Sequence, residues 1–493
     1  MYYISTRDAA LRCTASQAIV QGLSRDGGLF LPERIPALEQ GALEKMKTMP
    51  YAERAVQVMK LYLEEFTEDE LRTYAGSAYG PDKFDTPAVA PLKRLDGGTA
   101  VLELWHGPTC AFKDMALQML PYLLTASLKK TGEEKTACIL VATSGDTGKA
   151  ALEGFRDVDR TKILVFYPKD GVSDIQKLQM VTQEGGNTGV CAVIGNFDDA
   201  QTGVKRIFSD PALRERLAAD GKLLSSANSI NWGRVLPQIV YYISAYCDLL
   251  ASGAIRMGEK IDFCVPTGNF GNILAAYYAK RMGLPVGKLI CASNSNDVLT
   301  EFIRTGVYDR NRPFHATMSP SMDILISSNL ERLLYLLSGS DEAVRGYMRQ
   351  LSETGRYAVT PELHEKIQES FACGCCDEAS TAETIGRVFK ERSYLIDTHT
   401  AVAWNVLEQY RRESGSRSMS VVVSTASAFK FCASVLTALG VEKQAEGTQI
   451  LRQLSETAGC PVPKPLAALD GKKIRFTKAV QKTEMADAVM ELL

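Results

Sequence analysis

The sequence predicts an α/β protein, with parallel strands carrying helices on both faces behind an amino-terminal stretch that reads as mostly helical. Three observations carry this. From residue 99 onward, short apolar, β-branched runs alternate with helical patterns. Two of the strand-to-helix junctions hold glycine-bearing turns, the place where open parallel sheets bind ligands. Residues 1–90 instead show amphipathic stretches at 15–23 and 51–65 and an acidic segment at 64–70, with no strand–loop–glycine pattern.

In chain order, strands are expected at 100–105, 137–143, 162–167, 189–194, 261–266, 288–292 and 419–424. Each is short, apolar and rich in β-branched residues, as strands covered on both faces are. Helices are expected at 113–129, 147–157, 198–219, 232–252, 271–282 and 400–413, from periodicity and flanking turn residues. The tail 465–493 reads as one strand followed by a helix. Polar or irregular stretches near 81–97, 305–320 and 372–381 are expected connectors.

Bulk properties narrow the function. A chain of 493 residues is long enough for roughly three domains. A net charge of -2 gives no general attraction for nucleic acid or an anionic membrane. No apolar run reaches the roughly 18 residues that span a bilayer, and Met1–Asp8 lacks a signal-peptide pattern, so a cytoplasmic address is expected. Partners are expected to be small molecules or copies of the chain itself, as a monomer or homodimer. Most of the 12 cysteines sit in apolar surroundings, as reduced buried thiols do. The exception is Cys373-Gly374-Cys375-Cys376. His364 and His399 do not complete a metal-ligand spacing with it, so no metal is expected and an accessible loop with reactive thiols is.

Lys113 stands in His106-Gly107-Pro108-Thr109-Cys110-Ala111-Phe112-Lys113-Asp114. Between an aromatic ring and a Gly-Pro turn, desolvation would lower its pKa toward that of a nucleophilic amine able to form a Schiff base; the bland alternative is a snorkelling surface lysine. The glycine turns are Ser144-Gly145-Asp146-Thr147-Gly148 and Gly268-Asn269-Phe270-Gly271-Asn272, each leading into a helix whose free amides and dipole favour an anion. Neither is a Walker loop or a Gly-x-Gly-x-x-Gly fingerprint. An imine-forming lysine with two anion loops suits pyridoxal 5'-phosphate and an amino acid.

The chain resembles the threonine synthases, pyridoxal-phosphate enzymes of the tryptophan-synthase-β-like group (fold type II), in their longer bacterial and fungal branch. The resemblance rests on Ser5-Thr6-Arg7, Gly22 to Glu33, His106 to Asp114, Thr143 to Gly148, Val172 to Gln176, Asn228-Ser229-Ile230-Asn231-Trp232, Gly268 to Asn272, Ser319 to Ile324, Asp397 to Ala401 and Ser424-Thr425-Ala426. It implies two parallel-type open-sheet domains: a large cofactor-binding one at 93–130 and 225–493, and a smaller one at 131–224, after a helical domain at 1–92. It implies that Lys113 holds the cofactor and shuttles protons, that 268–272 cradles the cofactor phosphate with Asn269 and Asn272 capping the turn, and that Ser144 to Gly148 faces the substrate carboxylate. It further implies that a hydroxyl, Thr425 in preference to Ser424, meets the pyridine nitrogen.

The implied substrate is O-phospho-L-homoserine, its phosphate met by Arg234 and Lys149 with Asn228, Ser229 and Asn231 as polar companions. The implied product is L-threonine. Asp146 stands where several relatives in the fold group have Asn, and is repulsive toward the cofactor unless it points away or is protonated. Relatives commonly read Ala-His-Pro-Ala-Lys-Phe where this chain has Ala426-Ser427-Ala428-Phe429-Lys430-Phe431. His106 reads either as a packed residue or as a chemical group, and Asp397 as a helix cap. A phospholyase or dehydratase that eliminates without adding water, and a non-catalytic ligand-binding relative, stay as alternatives.

Overall fold

The computed structural model describes residues 1–492; Leu493, where the expected terminal helix ends, lies outside the described residues. Two sheets organise the chain. The six-stranded sheet runs Phe371–Cys375, Val286–Ser293, Ile261–Pro266, Ser420–Ser424, Thr99–Glu103, Leu92–Arg94, parallel throughout except for the last pair. Its central strands are buried along their whole length, which explains their unbroken apolar character. The five-stranded sheet, Ala479–Gln481, Thr188–Ile194, Thr161–Pro168, Thr136–Ala142, Lys222–Ser225, is wholly parallel. Its first strand comes from the chain's end, a segment the sequence assigned to the larger unit; pairing there covers what would be an open edge.

The helix Trp232–Ala251 is buried along nearly all its length. It packs on the amino-terminal helix Tyr51–Met59 and on Gly271–Arg281. Among the described residues, no helix is long and apolar enough to cross a membrane.

Several expectations need correction. The amino-terminal unit is mostly helical, as expected, but it also holds strands that were not expected: Tyr3–Ser5, Arg12–Cys13 and Phe30–Pro32 form a three-stranded antiparallel sheet. Strands of two or three residues are too short to display a period-two pattern. The helix expected at 113–129 is two, Asp114–Leu117 and Leu120–Lys130, with Pro121 in the first turn of the second, where its missing N–H costs nothing. The helix expected at 198–219 breaks at Asp210, whose carboxylate caps Pro211–Ala219 by accepting from Ala212 N and Leu213 N. The expected cysteine loop is mostly an edge strand, in register with Val286–Ser293. Burial pushes the Cys373 and Cys376 thiols up to about 11, so they are not reactive thiolates at neutral pH.

Candidate active site

Lys113 sits at the start of Asp114–Leu117 and is only 7% exposed. Its loop is fixed from both sides. The Asp114 carboxylate accepts from Thr109 N at 2.8 Å and Thr109 Oγ1 at 2.7 Å, and Phe112 N donates to Thr425 O at 2.8 Å. The Lys113 ammonium donates to Ser321 Oγ at 3.0 Å and Asp146 Oδ2 at 3.4 Å, and lies 4.6 Å from the centre of the Phe112 ring. Burial lowers its pKa, Asp146 opposes this, and the nearby charges of Lys430 and Arg234 add to the lowering. The snorkelling alternative is thereby removed: this is a desolvated amine held by hydrogen bonds.

Asp146 resolves differently from expectation. Its carboxylate neither points away nor is protonated; Oδ1 meets Lys430 Nζ at 2.7 Å and accepts from Gln176 Nε2 at 2.8 Å. Burial alone would raise its pKa, but the ammoniums of Lys430 and Lys113 and the Gln176 amide outweigh it and hold the group well below the usual carboxylate range. Asp146 therefore meets Lys113, Lys430 and Gln176 at once. Lys430, fully buried, also donates to Thr109 O at 2.9 Å and so ties the lysine loop to Asp146. Gly145 completes the turn at φ 133°, where a Cβ would lie 2.5 Å from the Gln176 side chain.

A prediction arises here. Lys430→Met leaves a buried carboxylate without its main partner and should cost about 3–5 kcal/mol at neutral pH. Because the native Asp146 pKa is depressed, its contribution is present above about pH 4, where an unfolded aspartate is ionised, and is lost as pH falls through the native value. The gap between wild type and variant in urea midpoint should therefore narrow in acid; a gap constant with pH would contradict the assignment.

The loop 268–272 joins the strand Ile261–Pro266 to the helix Gly271–Arg281. Phe270 takes a left-handed conformation, φ 63°, and no side chain caps the helix, so its first amides have no side-chain partner. The expectation that Asn269 and Asn272 cap the turn is wrong. Asn272 Oδ1 accepts from Tyr241 and Tyr242 hydroxyls, the latter at 2.6 Å, and Asn269 Oδ1 accepts from Ser328 Oγ at 3.4 Å. Asn272 Nδ2 is buried with no partner. A Cβ on Gly268 would stand 2.5 Å from Ser321 O, so the backbone itself walls the cradle. Free helix-start amides and an orphaned amide fit a phosphate.

At the end of Ser420–Ser424, the Ser424 hydroxyl already accepts from Trp105 Nε1 at 3.1 Å and Thr400 Oγ1 at 3.0 Å. Thr425, 4% exposed, has no such side-chain bond among the described residues and is the hydroxyl left for a ring nitrogen.

The remaining sequence candidates divide. Ser144 and Thr147 are half-buried in the turn, while Thr143 Oγ1 closes it by accepting from Gly145 N at 3.0 Å and Gly148 N at 2.9 Å. Asn228 and Ser229 are half-buried in the loop before Trp232, Ser229 lying beside Gly271. Asn231 is engaged within the protein: its Oδ1 caps the helix through Gly233 N, and its Nδ2 donates to Ile19 O and Ser226 O. The Lys149 ammonium meets Glu153 at 3.1 Å and Gln183.

Arg234 is different. It is 3% exposed, Nη1 donates to Ala227 O, Nε is orphaned, and among the described residues no carboxylate pairs with it. Burial pulls its pKa down to about 10, still a cation at neutral pH, and a buried cation of this kind calls for an anion.

Sequence reasoning missed roles for Ser321, Lys430 and Gln176, and read Asp397 to Thr400, His399 included, only as a segment that positions structure near the cofactor. Ser321 N donates to His399 Nε2 at 3.2 Å, and His399 Nδ1 lies 2.8 Å from Asp397 Oδ2, so a capping aspartate orients the backbone that carries Lys113's hydroxyl partner. His106 is clamped between Asp85 at 2.7 Å and Glu103 at 2.9 Å and stacks on Trp105, the packed reading.

Comparison with known proteins agrees with this geometry. Residues 2–79 match the family model for the threonine synthase N terminus, and 85–364 that for pyridoxal-phosphate dependent enzymes. Threonine synthase from Pseudomonas aeruginosa is 40% identical over 417 residues, covering 84% of this chain and 85% of that protein. The chain belongs to the threonine synthase family. Within that family, the crystal structure of PLP-bound threonine synthase from Brucella melitensis superimposes with a TM-score of 0.87 at 37% identity, covering 100% of this chain and 99% of the other. Threonine synthase-like 1 from Macaca fascicularis is 41% identical over 439 residues, 87% of this chain, but the match spans only 58% of that longer protein. Ser427 caps the short helix Ala428–Phe431 through Phe429 N, and Ser173 Oγ donates to Lys430 O at 3.0 Å, which fixes the turn that delivers Lys430.

Proposed function

We propose that this chain is a threonine synthase: a lyase that converts O-phospho-L-homoserine and water into L-threonine and phosphate by pyridoxal-phosphate-dependent β,γ-replacement, the last step of threonine biosynthesis. Arg234 carries the substrate assignment. It is a buried guanidinium without a carboxylate, close enough to Lys113 to depress its pKa, and separate from the 268–272 cradle that suits the cofactor phosphate. Two anion sites around one amine suit a phosphorylated amino acid beside a phosphorylated cofactor.

Bound pyridoxal phosphate supplies an electron sink for carbanions beside the amino-bearing carbon. Lys113, with its pKa lowered by burial, accepts and returns protons at the substrate's carbon atoms, and Ser321 and Asp146 hold its Nζ between moves. The Ser144 and Thr147 hydroxyls and the turn between them receive the substrate carboxylate, Asn228 and Ser229 line the approach to Arg234, and Thr425 offers a neutral hydroxyl to the pyridine nitrogen. Burial of Lys113 and Arg234 keeps bulk water from the early steps.

The chain is also similar to threonine synthase-like 1, and the second reading is elimination of phosphate with no water added at Cβ. Incubation of the holoenzyme with O-phospho-L-homoserine separates the two: threonine equal to the phosphate released is expected, whereas 2-oxobutyrate and ammonia would establish elimination.

A further inference from the structure

A second buried guanidinium lacks a carboxylate. Arg332, fully buried in the first turn of the helix Leu330–Ser338, spends its donors on three acceptors from three segments: Phe30 O at 2.9 Å in the amino-terminal sheet, Ile230 O in the loop before Trp232, and Asn329 Oδ1. The neighbouring Glu331 is turned away, taken by Arg7 at 2.8 Å through both oxygens and by Thr6 Oγ1 at 2.5 Å. Among the described residues no carboxylate pairs with Arg332, and burial lowers its pKa to about 10, so it remains charged.

What Asn329 does with its other atoms gives this cation a direction. Its Nδ2 donates to Asn269 O at 3.0 Å and its backbone N–H to the same oxygen at 3.1 Å. In a planar trans peptide, fixing the Asn269 carbonyl on one side turns the Phe270 N–H to the other. Asn329 thus passes the arginine's pull to the backbone of the phosphate cradle. The loop held at Ile230 carries Ser229, which lies beside Gly271 of the cradle.

We propose that Arg332 is a positioning residue that supplies buried positive charge behind the cofactor-phosphate cradle and, through Asn329, Phe30 and Ile230, couples cofactor binding to the docking of the amino-terminal sheet and the 228–231 loop. Phosphate arrival balances the charge, and a cradle in place strengthens the grip on both segments. The proposal rests on the family's cofactor and not on the substrate assignment, so it can fail or stand independently of the latter.

The test compares wild type, Arg332→Lys and Asn329→Asp as apo proteins, titrated with pyridoxal phosphate and with unphosphorylated pyridoxal, and followed by hydrogen exchange at 28–32 and 228–232. Asn329→Asp is nearly isosteric; it pairs with Arg332 and cancels the free charge, and it also removes the Nδ2 donor to Asn269 O, so both links of the proposed relay are cut in one variant. Expected is at least about a tenfold loss of pyridoxal phosphate affinity in both variants, with pyridoxal affinity unchanged. In wild type, pyridoxal phosphate slows exchange in both segments; in Asn329→Asp it does not. Unchanged pyridoxal phosphate affinity in folded Asn329→Asp, equal loss for both ligands, or the absence of cofactor-dependent protection in wild type would each overturn it. Should Arg332→Lys fail to fold, Asn329→Asp decides alone.

Discussion

Lys113→Ala protein takes up pyridoxal phosphate without a covalent link, and its turnover falls by at least about 10⁴-fold. Two losses combine. The amine that bonds the cofactor is gone, and so is the group that moves protons, since Ser321 is a hydroxyl and Asp146 is still held ionised by the Lys430 ammonium and the Gln176 amide. Borohydride reduction followed by peptide mass analysis checks it: wild type carries the reduced adduct on Lys113 and the variant carries none. An adduct on Lys430 or Lys149, the other lysines buried near this site, would move the reactive centre.

Arg234→Met lowers kcat/KM for O-phospho-L-homoserine by about 10²- to 10³-fold, the cost of truncating one partner of a buried charge pair. Cofactor affinity stays near wild type, because the cradle is built from 268–272 and Arg234 lies on another helix. Arg234→Lys retains part of the rate, since a lysine restores charge without the planar fork. Steady-state kinetics with parallel cofactor titration separates the effects; loss of cofactor binding matching the loss of kcat/KM would assign Arg234 to the cofactor phosphate instead.

The sequence made the centre of the site legible and left its supports obscure. Strands such as Ile261–Pro266 announce themselves because burial on both faces demands unbroken apolar runs. Gly268 and Gly145 are visible because a Cβ at either would collide with its surroundings. Lys430 was hidden because its role depends on meeting Asp146, which follows a strand of the five-stranded sheet while Lys430 follows one of the six-stranded sheet, and nothing local to either residue marks the pairing. Asn231 and Lys149 show the reverse: polar groups near a predicted turn look free in the sequence, yet a helix cap and an (i,i+4) glutamate engage them in the fold. The amino-terminal strands were missed because two or three residues carry no periodicity.

The central claim is that water adds to the substrate's carbon skeleton after phosphate has left with its bridging oxygen. Turnover of O-phospho-L-homoserine in ¹⁸O-water measures this directly. The account predicts one ¹⁸O in the hydroxyl of each threonine formed and none in the phosphate released. Label in the phosphate would indicate hydrolysis at phosphorus, and unlabelled phosphate accompanied by 2-oxobutyrate in place of threonine would indicate elimination; either result contradicts β,γ-replacement.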